Sequence, residues 1–176
     1  MRAFGILVVF ITLIGMVSAT DVSVEGHTFS LDMPDGWTVD NTDKMSVHDY
    51  LDGVGSYDYT GTYVGSVFSP HDGKSSISVA IVNVPPSEAG EDSVDNILKY
   101  LNGDMMTLSG DSSEKYIDFD GKKAYLVEAK VDYDAGSSAS LLSMTVALDK
   151  STYAYVYGYF KDNGKAWDAV KGMSIT

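Results

Sequence analysis

The side chains most able to do chemistry in this sequence are its carboxylates, its tyrosines and three histidines, and their spacing limits what each group can do. Asp118-Phe119-Asp120-Gly121-Lys122-Lys123 places two aspartates beside a glycine, as a calcium loop would. Calcium loops, however, spread their oxygens over about a dozen residues, with the glycine at the bend and an acidic ligand at the end. Here the glycine comes too early, and two lysines stand where further ligands should follow. Alternating runs flank Asp120-Gly121 on both sides, Glu114–Phe119 and Lys122–Tyr133, so the pair fits a type I′ turn, whose two central residues need positive φ. The aspartates are expected to reverse the chain rather than hold a metal.

Asp40, Asp43, Asp49, Asp52 and Asp58 lie in a polar, tyrosine-rich stretch, 40–62. Once ordered, that stretch could gather carboxylates around a divalent cation such as calcium or serve a small ligand, but a solvated loop is the simpler reading. His27, His48 and His71 are far apart, show no helical pairing and have no cysteine beside them, so no transition-metal ligand set is legible. A Gly-x-Ser-x-Gly elbow and a glycine-rich phosphate loop are both absent. Carboxylate pairs for glycoside cleavage meet in space rather than in sequence, which keeps a hydrolase as a further alternative to a non-catalytic chain. No catalytic or metal-binding residue is assigned, and no motif calls for a cofactor.

The tyrosines are more distinctive. Tyr153, Tyr155, Tyr157 and Tyr159 alternate with Ala154, Val156, Gly158 and Phe160, so all four share one face of one strand. Such a row could stack on sugar rings or on a protein partner outside the cell. The alternative is cover by a helix, with the hydroxyls reaching its edges, and cover is the expectation here.

The elements that must position these groups follow from periodicity. His27–Met33 is an alternating run, after which "MPDGW" turns the chain: Pro34 presets its own φ, Gly36 permits a positive one, and Trp37, expected in the core, restarts an extended segment through Val39. Tyr63–Ser69 and Ser76–Val84 should pair through Asp72-Gly73, and Pro85-Pro86 ends the second of them. Val94, Ile97, Leu98, Leu101, Met105 and Leu108 then fall at helical spacing, one apolar stripe of an amphipathic helix. In Lys122–Tyr133, odd and even positions differ in character, as in a half-buried strand. "LLSMTVALD" and "TYAYVYGYF" continue the sheet, and Ala166, Trp167, Val170 and Met173 predict a short closing helix over Lys165–Met173.

Residues 1–19 have the form of an export signal: Arg2, an apolar run from Ala3 to Val17 and the small-residue site Val17-Ser18-Ala19. The run is shorter than the roughly 18 to 20 residues that cross a bilayer, so stable membrane insertion is expected only if the segment stays uncleaved. The mature chain should then start at Thr20 and work in a secreted, cell-surface or other extracytoplasmic setting. Without cysteine it has no disulfide and no lipid-bearing thiol, so a packed core must stabilise it. A net charge of -13 repels nucleic-acid phosphates and anionic lipid, while 44% hydrophobic residues rule out a disordered acidic tail.

This order of elements resembles the PsbP-like family, named for an extrinsic subunit of the photosystem II oxygen-evolving complex. The segments that carry the resemblance are "FSLDMPDGWTV", the helix after "VPPSEAGED", the "IDFDGKKAYLVEA" hairpin, and "YAYVYGYF" followed by "AWDAVKGMSI". The resemblance implies one α+β domain over residues 20–176, an antiparallel sheet covered by helices on both faces. It also implies a non-enzymatic accessory role with a protein partner at the cell surface. The basic surfaces of the photosynthetic subunit have no counterpart in this acidic chain, and no site residue carries over.

Overall fold

A computed structural model describes residues 19–51, 58–71, 73–85, 87, 93–105, 112–133, 137–161 and 170–176. Two antiparallel sheets and two helices make up the described architecture. In the small sheet, β1 (Thr20–Val24) and β2 (His27–Leu31) form a hairpin, and β11 (Ser174–Ile175) pairs with β2. Glu25 and Gly26, at φ 49° and 84°, make the hairpin turn, as a two-residue type I′ connection requires. The main sheet runs β3 (Thr38–Val39), β5 (Thr60–Ser69), β6 (Ser75–Asn83), β10 (Thr152–Lys161), β9 (Ser137–Ala147), β8 (Lys122–Tyr133), β7 (Ser112–Phe119), and β4 (Lys44–Ser46) also pairs with β5. Helix α1 is Val47–Tyr50, and α2 is Val94–Met105.

Each face of the main sheet has its own core. On one face, Val79, Ile81, Leu142, Met144, Ala154 and Val156 pack with Val22, Val24, Phe29 and Leu31 of the small sheet and with Val170 and Met173. On the other, Ala80, Val82, Tyr125, Val127, Tyr153 and Tyr155 pack under Ile97, Leu98, Leu101 and Met105 of α2 and Val47 of α1. Where a helix was expected on each face, among the described residues a helix layer covers one face and the small sheet packs on the other, beside Val170 and Met173 of the predicted closing-helix segment, most of which lies outside the described residues. The physical reason lies in β1 and β2, where apolar side chains recur at every second residue. That period makes a strand face rather than a helix stripe.

Two-sided cover corrects the half-buried reading of β8 only over 124–127, where Ala124, Tyr125, Leu126 and Val127 are all buried; Lys123 and Lys130 are exposed, and Glu128, Ala129 and Val131 are partly so. In that stretch the alternation marks which core each side chain joins, not which meets water. The strand at His27 is preceded by β1, which the sequence reading missed, and β11 follows the closing helix. Of that helix only Val170 and Lys171 are described and helical, and Ala166 and Trp167 lie outside the described residues. The α2 stripe is buried at Ile97, Leu98, Leu101 and Met105, and Leu108 lies outside the described residues. The proposed signal, 1–19, does too except for Ala19.

Both predicted hairpins form. β5 pairs with β6, and β7 with β8. Asp120 and Gly121 sit at φ 53° and 73°, and Asp118 Oδ1 accepts a bond from Gly121 N at 3.1 Å, so these aspartates do make a turn. Trp37 is partly buried against the small-sheet core, its ring 6.4 Å from that of Phe160.

Candidate functional site

Helix α2 decides which part of the tyrosine row is open. At its N-terminal end Asp95 pairs with Lys123, and the Asp95 carbonyl accepts from the Tyr116 hydroxyl at 3.0 Å, which anchors it over β7 and β8. Farther along, Asn102 Nδ2 donates to the Tyr125 carbonyl at 3.4 Å, and Asp104 accepts from the Tyr59 hydroxyl, just before β5, at 3.0 Å. The helix thus lies across the strands and covers only one end of each. Tyr153 and Tyr155, at that end, are 0% exposed. Tyr157 and Tyr159, past the helix, are half-buried.

The tyrosine row is therefore not a face of four exposed rings. Burial raises the hydroxyl pKa of Tyr153 to about 12, with help from the Asp149 charge. Burial also pushes Tyr155 well above its ordinary value, against the bond it receives from Ser143 Oγ. Strand pairing adds tyrosines from other strands that no sequence window shows together. Tyr116, Tyr125, Thr145, Tyr155, Ala80 and Tyr63 are successive register partners across the sheet. Tyr63 stacks on Tyr50 of α1 with ring centroids 4.0 Å apart, and burial raises the hydroxyl pKa of both. At the other end of this row the Tyr125 hydroxyl bonds to Glu114, and burial and that bond raise its pKa.

Where the row emerges from α2, Tyr159 enters a recess of about 350 Å³ lined by Ser66, Ser69, His71, Gly73, Ser75 and Ser76. The walls come from the turn end of the β5–β6 hairpin, where β5 finishes and β6 begins. An irregularity in β5 between Val64 and Phe68 breaks the pairing and holds Ser66 at φ 46°, its N–H donating to Ser78 Oγ at 2.9 Å. His71 sits at φ 53°, its N–H donating to Ser69 Oγ at 2.9 Å. Ser76 pairs in register with Tyr159, which places hydroxyl and ring side by side on the sheet. Chemically, the recess offers hydroxyls that can donate and accept, one imidazole and one partly exposed aromatic ring.

The aspartates of 40–62 are dispersed. Asp40 accepts from Thr42 N and Oγ1 at 2.9 and 2.7 Å, and those bonds, side chain first, hold its carboxyl below the usual range, with a contribution from His71. Asp43 packs over Gly65, where an added Cβ would lie 2.6 Å from its Oδ2. Asp49 is the third residue after Ser46, whose hydroxyl caps α1 by accepting from the Asp49 N–H. Asp58 is exposed, and Asp52 lies outside the described residues. Among the described residues, no three acidic or histidine side chains come together as a metal site. His27 lies in β2, His48 in α1 and His71 in the recess. The recess itself was not legible beforehand, although the pairing of β5 with β6 was; Asp72, to which the turn between them was assigned, lies outside the described residues.

No family model matches the chain, and no curated protein matches it either. Among solved structures, the chain is similar to LpqN of Mycobacterium tuberculosis, described as involved in cell envelope biogenesis. That match has 14% identity and a TM-score of 0.51, and covers 90% of this chain and 91% of LpqN. A weaker likeness links it to the cyanobacterial PsbP protein CyanoP of Synechocystis, with 15% identity over 93% of this chain and 95% of CyanoP, at a TM-score of 0.44. The chain shares its overall fold with LpqN.

Proposed function

We propose that this chain is an exported, non-catalytic accessory domain of PsbP-like fold that works outside the cytoplasm by binding a partner. The observation that carries the reading is the fold shared with LpqN, a protein of cell envelope biogenesis, on a chain whose first residues have the form of an export signal. The burial pattern supports it. Both faces of the main sheet are filled by core, which leaves binding to its ends, edges and loops.

The test is fractionation of the producing cell, N-terminal sequencing of the recovered chain and cross-linking on intact cells. The expected result is a chain beginning at Thr20 in the extracytoplasmic fraction, cross-linked to an envelope component. A chain that keeps Met1 and stays in the cytoplasm would overturn the proposal.

A further inference from the structure

We infer that the recess at Tyr159 is a binding site for a neutral saccharide ring. The inference deepens the reading of an exported binding domain and rests on it only for where the ligand is met. At about 350 Å³ the recess lies at the small end of the roughly 300–1,000 Å³ typical of small-molecule sites, which suits one ring rather than an extended chain.

Three features select the ligand class. First, the ring of Tyr159 is anchored in β10 by pairing on both sides, with Ser76 and Leu141, yet remains partly exposed, so it presents a fixed aromatic surface to the C–H face of a sugar. Second, the surrounding groups are hydroxyls. Ser69 and Ser75 are 4% and 6% exposed, held by the strands that carry them. Ser69 Oγ already accepts from the His71 N–H, so its own proton is left to donate. Hydroxyls that donate and accept at fixed positions match the hydroxyls of a sugar, which do the same.

The third feature is charge. The chain carries 25 acidic residues, yet among the described residues that line this recess none bears a carboxylate or an ammonium group. The described lining offers a cation no formal counter-charge, and the field of a chain at -13 disfavours an anion. A neutral, hydroxylated ligand is left. The left-handed backbone at Ser66 and His71 fits the same picture, since strained non-glycine residues collect at ligand sites, where the surrounding structure pre-sets their geometry.

The experiment is a titration of the full, isotope-labelled chain with glucose, galactose, mannose and N-acetylglucosamine, followed by NMR. At least one sugar should shift the amides of Ser66, His71 and Ser76 saturably at millimolar concentration. Tyr159→Phe keeps the ring and should bind within about threefold of the parent, whereas Tyr159→Ala should weaken binding by about tenfold or more. Ser69→Ala, which leaves the ring in place, should also weaken binding and serves as the deciding variant if Tyr159→Ala does not fold. The proposal is overturned if no sugar shifts these amides at up to about 50 mM, or if Tyr159→Ala folds and binds as well as the parent. It is equally overturned if a protein cross-links to Tyr159 with no sugar response. A negative titration of a chain already shown to be exported would remove the sugar site and leave the exported domain standing.

Discussion

The hydroxyl of Ser143 on β9 donates to the hydroxyl of Tyr155 on β10 across 3.1 Å, in a layer where both residues are fully buried under α2. The bond lets the sheet bury a phenol at its centre. Tyr155→Ala would open a cavity beneath the helix and should cost about 3–5 kcal/mol, as other large aromatic truncations do. Tyr155→Phe keeps the ring but strands the Ser143 hydroxyl, for about 1–3 kcal/mol. Denaturant midpoints of both variants beside the parent check this. Unmoved midpoints would mean that α2 does not hold the row.

Thr145, the register partner of Tyr155 on one side and Tyr125 on the other, is fully buried, and its Oγ1 has no hydrogen-bond partner among the described residues. Valine has the same shape without the hydroxyl. Thr145→Val should therefore be neutral or raise stability by up to about 1 kcal/mol. A loss of more than about 1 kcal/mol in thermal or denaturant unfolding would show that the hydroxyl has a partner, such as a bound water.

The chain should be sensitive to alkali rather than to mild acid. Burial raises the hydroxyl pKa of Tyr155, Tyr153, Tyr125, Tyr63 and Tyr50 above the ordinary 10.0. An acid whose folded pKa is raised contributes stability that is fully present below its unfolded pKa. That stability is lost as pH climbs above 10, where only the unfolded chain ionises. Each such tyrosine steepens the fall by about 1.4 kcal/mol per pH unit in that range. Tyr155→Phe should flatten the slope by about one tyrosine, measured as unfolding free energy between pH 9 and about 11.5. A slope unchanged by the substitution would contradict the burial of its hydroxyl.

Gly61 and Gly121 should respond differently to substitution. At Gly61, φ is 127° and an added Cβ would lie 2.0 Å from the Ile81 carbonyl oxygen, a backbone atom that cannot turn aside. Gly61→Ala should cost about 2–4 kcal/mol through clash and strain together. At Gly121 nothing lies within 4 Å, so only its φ of 73° resists. Gly121→Val should cost about 1–3 kcal/mol, and Asp118→Asn, at an exposed turn, much less. Melting curves of the three variants test the order, and an equal effect at all three would contradict it.

The sequence by itself determined what is local. Alternation in Lys122–Tyr133 and Tyr153–Phe160 specified strands, and Asp120-Gly121 specified its turn because two adjacent residues there need positive φ. The spacing of Ile97, Leu98, Leu101 and Met105 specified the buried stripe of α2, since a 3.6-residue period can serve only one face. Each of these is set by the backbone of a few consecutive residues.

Tertiary structure decided everything that depends on which strands lie side by side. Tyr116, Tyr125, Tyr155 and Tyr63 come from four strands, and only register sets them in one row across the sheet. The row along β10 was legible, but its division into buried Tyr153 and Tyr155 and half-open Tyr157 and Tyr159 was not. The direction in which α2 crosses the sheet makes that division, and contacts with residues distant in sequence, Tyr116, Lys123 and Tyr59, hold it there. The small sheet was hidden for the same reason, because β11 pairs with β2 from the opposite end of the chain. The recess depends on bringing Ser66, His71 and Tyr159 together, and no periodicity within one segment can encode an arrangement made by three.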